Sequence, residues 1–155
     1  MVTLAIAVIL ITVAIPSFSE TIKNNRLATA QNTLAATLAL ARSEALKTGR
    51  RVSVCVSNDQ ATCTGGTDWS VGWLAYQDRD NSATFNAGDP LVKVQPGLPP
   101  GMTLTGTGSV LSYTPQGAAA VAGTLTLCDD RTGETGRQLT INNTGRPTLT
   151  TVVCS

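Results

Sequence analysis

Asp78-Arg79-Asp80-Asn81-Ser82-Ala83-Thr84-Phe85-Asn86-Ala87-Gly88-Asp89 sets oxygen-bearing side chains in an order that resembles a calcium loop. Two parts of such a loop are missing, because the turn glycine at the sixth position is Ala83 and the bidentate glutamate at the twelfth is Asp89. Asp and Asn also favour turns for local reasons. The segment therefore reads as a plain connection between strands, with no metal assigned to it. Asp129-Asp130-Arg131 with Gly133-Glu134 offers neighbouring carboxylates, but adjacent residues on a turn do not flank a substrate as a catalytic pair must. A solvated hairpin turn is the reading there. Gly65-Gly66 and Thr105-Gly106-Thr107-Gly108 lack the Lys-Ser/Thr and the following helix of a phosphate loop, and read as hairpin turns.

Histidine is absent, which removes the commonest general base and the commonest metal ligand. No nucleophile, base and orienting group can be assembled without it. The chain reads as no enzyme, with no catalytic residue, cofactor, metal or small-molecule substrate. With 11 Lys+Arg against 10 Asp+Glu, no whole-chain field attracts nucleic acid or acidic lipid, so such a partner must be met by a local patch. Cys55, Cys63, Cys128 and Cys154 show no C-x-x-C spacing, so two structural disulfides in an oxidising compartment such as a periplasm are expected. Four cysteines allow three pairings.

Two kinds of element must carry these residues. From Val2 to Ser19 no residue is charged, and Leu4, Ile6, Ile9, Leu10 and Val13 belong to an almost wholly apolar run just long enough to cross a bilayer. A cleaved signal would open on a basic segment, and none precedes the run. Beyond Glu20 the chain passes without a turn signal into Leu27, Ala30, Leu34, Leu38, Ala41, Ala45 and Leu46, spaced as one apolar helix face. Gln31, Asn32, Arg42 and Lys47 lie opposite, and Gly49 stands where a C-cap glycine would. A single helix over residues 2–48 would measure about 70 Å. Pro16 should kink or locally melt it at the membrane boundary.

After Gly49 the pattern turns to short β-rich runs at 51–56, 71–77, 91–94, 102–105, 110–113, 123–128, 138–141 and 148–153. A helix followed by many strands is the α+β pattern, with the amphipathic half of the helix on an antiparallel sheet. Three parts are expected: 1–19 as the membrane-spanning half of the helix, 20–48 as its amphipathic half, and 49–155 as a β-rich globular domain.

The run Met1-Val-Thr-Leu-Ala-Ile-Ala-Val-Ile-Leu-Ile-Thr-Val-Ala-Ile-Pro-Ser-Phe resembles the start of a type IV pilin, entered a few residues late. Ala41-Arg42-Ser43-Glu44-Ala45, Val52-Ser53-Val54-Cys55, Trp69 and Gly72-Trp73-Leu74-Ala75-Tyr76-Gln77-Asp78 resemble the FimT/FimU minor-pilin and GspH pseudopilin group. The resemblance implies a type IV pilin-like fold and a structural subunit that assembles or primes a pilus at its tip. The alternative is a GspH-like minor pseudopilin of a type II secretion system. It further implies that a peptidase-cleaved leader and an N-methylated Phe-Thr-Leu-x-Glu start are lost ahead of Met1.

Implied partners are other major and minor pilins, the inner membrane and the pilus assembly platform. The implied location is a single-pass inner-membrane protein with a periplasmic domain that passes into a pilus or pseudopilus. FimT-type relatives are associated with double-stranded DNA capture in natural transformation through a basic Gly-Arg-x-Arg tail motif. Gly145-Arg146-Pro147-Thr148 stands at that place, matching the first arginine and replacing the second with Thr148. Arg137, Arg131 and Lys93 could join Arg146 only if folding gathers them, since affinity follows the number of phosphates neutralised. A Cys55–Cys63 bridge would close a short loop, and a Cys128–Cys154 bridge would fasten the last strand to an internal one.

Overall fold

The computed structural model describes residues 2–154, and side chains for residues 19–133 and 135–154. Among the described residues one α-helix, α1 (Val2–Thr48), precedes nine strands: β1 (Arg51–Val56), β2 (Gly72–Asp78), β3 (Leu91–Pro96), β4 (Met102–Gly106), β5 (Val110–Tyr113), β6 (Ala119–Val121), β7 (Gly123–Asp129), β8 (Gly133–Ile141) and β9 (Pro147–Cys154). The side chains of Leu4, Ile6, Ile9, Leu10 and Val13 lie outside the described ones, and α1 runs on through Pro16, where local melting was expected. Among the residues whose side chains are described, no helix is long and apolar enough to cross a membrane.

The three-and-four spacing of Leu27, Ala30, Leu34, Leu38, Ala41 and Ala45 puts all six on one stripe, and all are buried. Leu46, expected on the same face, is 53% exposed. It follows Ala45 by about 100° of helix rotation and so falls off the stripe. Gly49 ends α1 at φ +64° with its N–H on the Ala45 carbonyl at 3.0 Å, the left-handed cap that glycine adopts without strain.

The strands form two antiparallel sheets where one was expected, a five-stranded one ordered β3-β2-β1-β5-β6 and a four-stranded one ordered β4-β7-β8-β9. The chain changes sheet after β3, after β4 and after β6, and the second of these crossings falls where a hairpin was expected. Gly106 and Gly108 lie against the buried Trp69, whose indole N–H donates to the Gly108 carbonyl at 2.9 Å. A Cβ on Gly106 would collide with that ring, so the glycines make a crossover packed on an aromatic. Gly65-Gly66 likewise sits in an inter-element loop, between Cys63 and a short 3-10 turn at Trp69–Val71.

Alternate residues of both sheets meet the helix stripe in one core: Val52, Val54, Val56, Trp73, Ala75, Leu104, Leu111, Tyr113, Leu125, Leu127, Leu139 and Ile141. Thr37 is the polar member of the buried helix surface, and it accepts the Trp73 indole N–H at 3.3 Å. On the other face of the first sheet Cys55, Leu74 and Tyr76 form a smaller cluster with Phe85, Val94 and Val110.

Candidate functional site

Cys55 is bonded to Cys63, closing the loop after β1. Cys128 of β7 is bonded to Cys154 of β9, strands that have β8 between them. Strands two positions apart ordinarily lie about 9.5 Å apart, yet these Cα atoms are 5.9 Å apart. The β8–β9 pairing shifts between Gly133 and Gly136, and the β7–β8 pairing ends at Leu127 opposite Arg137. There β8 parts from β7 while still paired with β9, and β7 and β9 approach each other over Gly136. A Cβ at that position would lie 2.5 Å from the Cys154 sulfur, which is why glycine stands there.

The residue after Cys128 opens a polar cluster that ties the β7–β8 turn to the helix. The Arg131 guanidinium donates to both Asp129 oxygens through Nε at 2.9 and 3.2 Å, with a further bond to Asp129 at 2.7 Å. It also reaches Glu20 of α1 at 2.6 Å and Asn24 at 3.0 Å. Lys23 pairs with Asp130 at 2.9 Å. The β7–β8 turn is thus no solvated hairpin: it clamps the helix at residues 20–24. Burial alone would raise the Asp129 carboxyl, but the Arg131 hydrogen bonds outweigh it and hold the group below the usual carboxylate range.

The β8–β9 turn is held by a second cluster. Its Asn143 carbonyl accepts the Ala119 N–H of β6 at 3.2 Å. Gly145, at φ +75°, presses on the Gly117 carbonyl so closely that a Cβ has no room. That carbonyl accepts Arg42 Nε of α1 at 2.8 Å. Helix, first sheet and C-terminal turn therefore meet at one point, and Arg146 projects from it exposed, its N–H on Asn142 Oδ1 at 3.3 Å. Sequence reasoning placed Arg42 on the polar helix face and missed this role, because Gly117 is 75 residues away.

The four candidate cations are not gathered. Arg137 faces Thr151 of β9, four residues or about 14 Å along β8 from the turn that bears Arg146. Arg131 lies beyond the other end of β8, about 27 Å away, and its guanidinium is spent on Asp129 and Glu20. Lys93 sits on β3, four strand positions or about 19 Å across the first sheet from β6.

A sequence model of the family described as type II transport protein GspH matches residues 30–145. Among solved structures the chain is similar to the type IV minor pilin FimU of Pseudomonas aeruginosa, with 26% identity over 86% of this chain and 92% of that one and a TM-score of 0.65. It is similar in fold to the minor pseudopilin EpsH from the type 2 secretion system of Vibrio cholerae, with 14% identity over 83% and 97% of the two chains and a TM-score of 0.53. No curated protein matches it.

Proposed function

The chain belongs to the GspH family, and on that footing we propose that it is a minor pilin of a type IV pilus that helps to assemble or prime the filament at its tip. Its coarser role, a structural pilin or pseudopilin subunit with a helix packed on antiparallel sheets, follows from the family and the fold. One observation carries the choice of a pilus: the likeness to the FimU minor pilin is greater in identity and in superposition than that to EpsH. The description of the family as a type II transport protein supports a second reading, a GspH-like pseudopilin of a secretion system.

In either setting residues 1–19 serve first as a lipid-spanning anchor from the inner membrane and then as filament core against other pilins. Residues 20–48 carry the globular domain of 49–155 into the periplasm. The Cys128–Cys154 bridge and the Gly117–Gly145 contact favour a C-terminal hairpin of fixed shape, able to meet a neighbouring subunit or the assembly platform. A part in DNA uptake rests on Arg146, exposed on that fixed turn, with Arg137 as its nearest candidate companion. So few cations imply weak, strongly salt-dependent binding of double-stranded DNA.

A deletion strain complemented from the native locus separates the readings when piliation, transformation and exoprotein secretion are scored together. Loss of piliation with secretion intact supports the pilus; loss of secretion alone assigns the pseudopilin. For DNA, Arg146→Ala should reduce the slope of log affinity against log salt by about one. An unchanged slope removes Arg146 from the contact.

A further inference from the structure

The chain leaves β2 at Asp78 and re-enters the first sheet at Leu91, and between these points Asp78, Asp80 and Asp89 each bring a carboxylate oxygen within 4.8 Å of the others. Asp78 and Asp89 are buried, while Asp80 opens to solvent. Most of the six oxygens already accept hydrogen bonds. Asp80 takes the Ser82 N–H and the Asn86 amide, both at 3.0 Å. Asp89 takes the N–H groups of Arg79 and Asn86 at 3.0 and 3.1 Å. Asp78 Oδ2 takes the Ala83 N–H at 3.0 Å and the Ser53 hydroxyl at 3.3 Å.

Asp78 Oδ1 is the exception: its side chain is fully enclosed, and this oxygen has no hydrogen-bond partner. A buried acceptor left without a donor is unfavourable, and a buried carboxylate more so. The nearest cation does not compensate, because Arg51 stands 3.8 Å from Asp78 Oδ2 and gives an N–H to the Asn81 carbonyl instead. Converging carboxylates with an unsatisfied buried oxygen, and no nitrogen or sulfur among the donors, suit a hard divalent cation.

We propose that Asp78, Asp80 and Asp89 hold a calcium ion that fastens the loop between β2 and β3. Calcium fits better than magnesium, because it accepts irregular sets of six to eight oxygens, whereas magnesium demands an octahedron and sheds water reluctantly. Carbonyls of the same loop and water would complete the shell. The ion would also steady Phe85, whose ring packs on Tyr76 at 5.2 Å between centroids, so calcium would order the outer face of the first sheet. This inference does not depend on whether the chain serves a pilus or a secretion system.

The test uses the full chain in detergent, stripped with EGTA, dialysed and titrated with calcium chloride by calorimetry. One saturable site with half-saturation on the order of 0.1–1 mM is expected, as in extracellular calcium modules. At 10 mM calcium the melting temperature should rise by about 3–6 °C, and magnesium at the same concentration should raise it far less. Asp80→Asn and Asp89→Asn should each abolish the heat and the shift, with an unchanged far-UV spectrum for the exposed Asp80 variant showing that the fold is kept. Absence of saturable heat and of a calcium-dependent shift in the native chain overturns the proposal. Undiminished calcium binding by the Asp80→Asn variant overturns it equally, by placing the ion elsewhere.

Discussion

Replacing Arg131 with alanine removes the guanidinium that Asp129, Glu20 and Asn24 share, and the arms of that cluster differ in burial enough to separate their energies. The Asp129 side chain is 5% exposed. Stranding a buried carboxylate by deleting its partner costs about 3 kcal/mol, the lower end of the range for broken buried pairs. The lower end applies because Asp129 keeps the hydrogen bond from the backbone N–H of residue 131 at 3.0 Å, which alanine also supplies. Glu20 is 58% exposed, so Glu20→Ala should cost only about 0.5 kcal/mol. Urea unfolding of the detergent-solubilised full chain reads both values. Adding Asp129→Ala to Arg131→Ala should cost much less than the sum of the single changes, because the stranded charge is gone.

Acid adds a second signature. Asp129 is depressed in the folded chain, so its contribution is complete above the ordinary aspartate pKa near 3.9. It is lost as pH falls through the lower folded value. Without Arg131, burial dominates and the carboxyl titrates higher, so the deficit of the variant should shrink between pH 7 and pH 3. An Arg131→Ala cost below that of Glu20→Ala, or a deficit that grows on acidification, would refute the clamp.

Losing the Cys128–Cys154 bridge by paired serine substitution should cost about 3.5 kcal/mol against about 2.5 kcal/mol for Cys55–Cys63, since the first closes 26 residues and the second 8. Denaturation midpoints in the reverse order would contradict that account. Gly145→Ala meets both a positive φ and the Gly117 carbonyl, so it should destabilise by about 2 kcal/mol or more; a thermal melt matching the native chain would show that the turn relaxes freely. If residues 1–19 are an anchor as proposed, Ile9→Lys should release the chain from the membrane fraction and bar it from filaments, and normal fractionation of that variant removes the anchor.

Much of the architecture is written locally. The Leu27-to-Ala45 stripe and the Gly49 cap come from spacing within a few residues, and eight of the nine strands fall within the runs of apolar and β-branched residues expected for them or overlap them. The ninth, β6, is Ala119-Ala120-Val121, too short and too poor in β-branched residues to signal a strand. Residues 133–137 of β8 escaped notice for a related reason: Gly133 and Gly136 look like a turn, and the shifted pairing they allow shows only beside the disulfide. The parts that tie the chain together were not legible, because their partners are distant. Arg131 finds Glu20 across 111 residues, and no local pattern carries that pairing. In the acidic loop, what pattern failed to show was convergence: Asp78 and Asp89 are eleven positions apart and meet only once β2 and β3 pair.

These distant ties do something that the apolar stripe cannot. Leu and Ala at three-and-four spacing bury nearly as well after a slide of one helical turn, about 5.4 Å. Hydrogen bonds tolerate no such slide. The globular domain is bonded to α1 at residues 20–24 through Arg131 and Asp130, at Thr37 through Trp73, and at Arg42 through Gly117. From residue 20 to residue 42 these ties span about 33 Å of helix, so they fix the axial register of domain on helix. If α1 is the route into a filament, as proposed, that register decides where the domain stands relative to its neighbours. Cys128 directly precedes Asp129, so the bridge to Cys154 links the clamp to the last strand through one peptide bond. The bridge therefore ties the last strand to the clamp on α1 at residues 20–24.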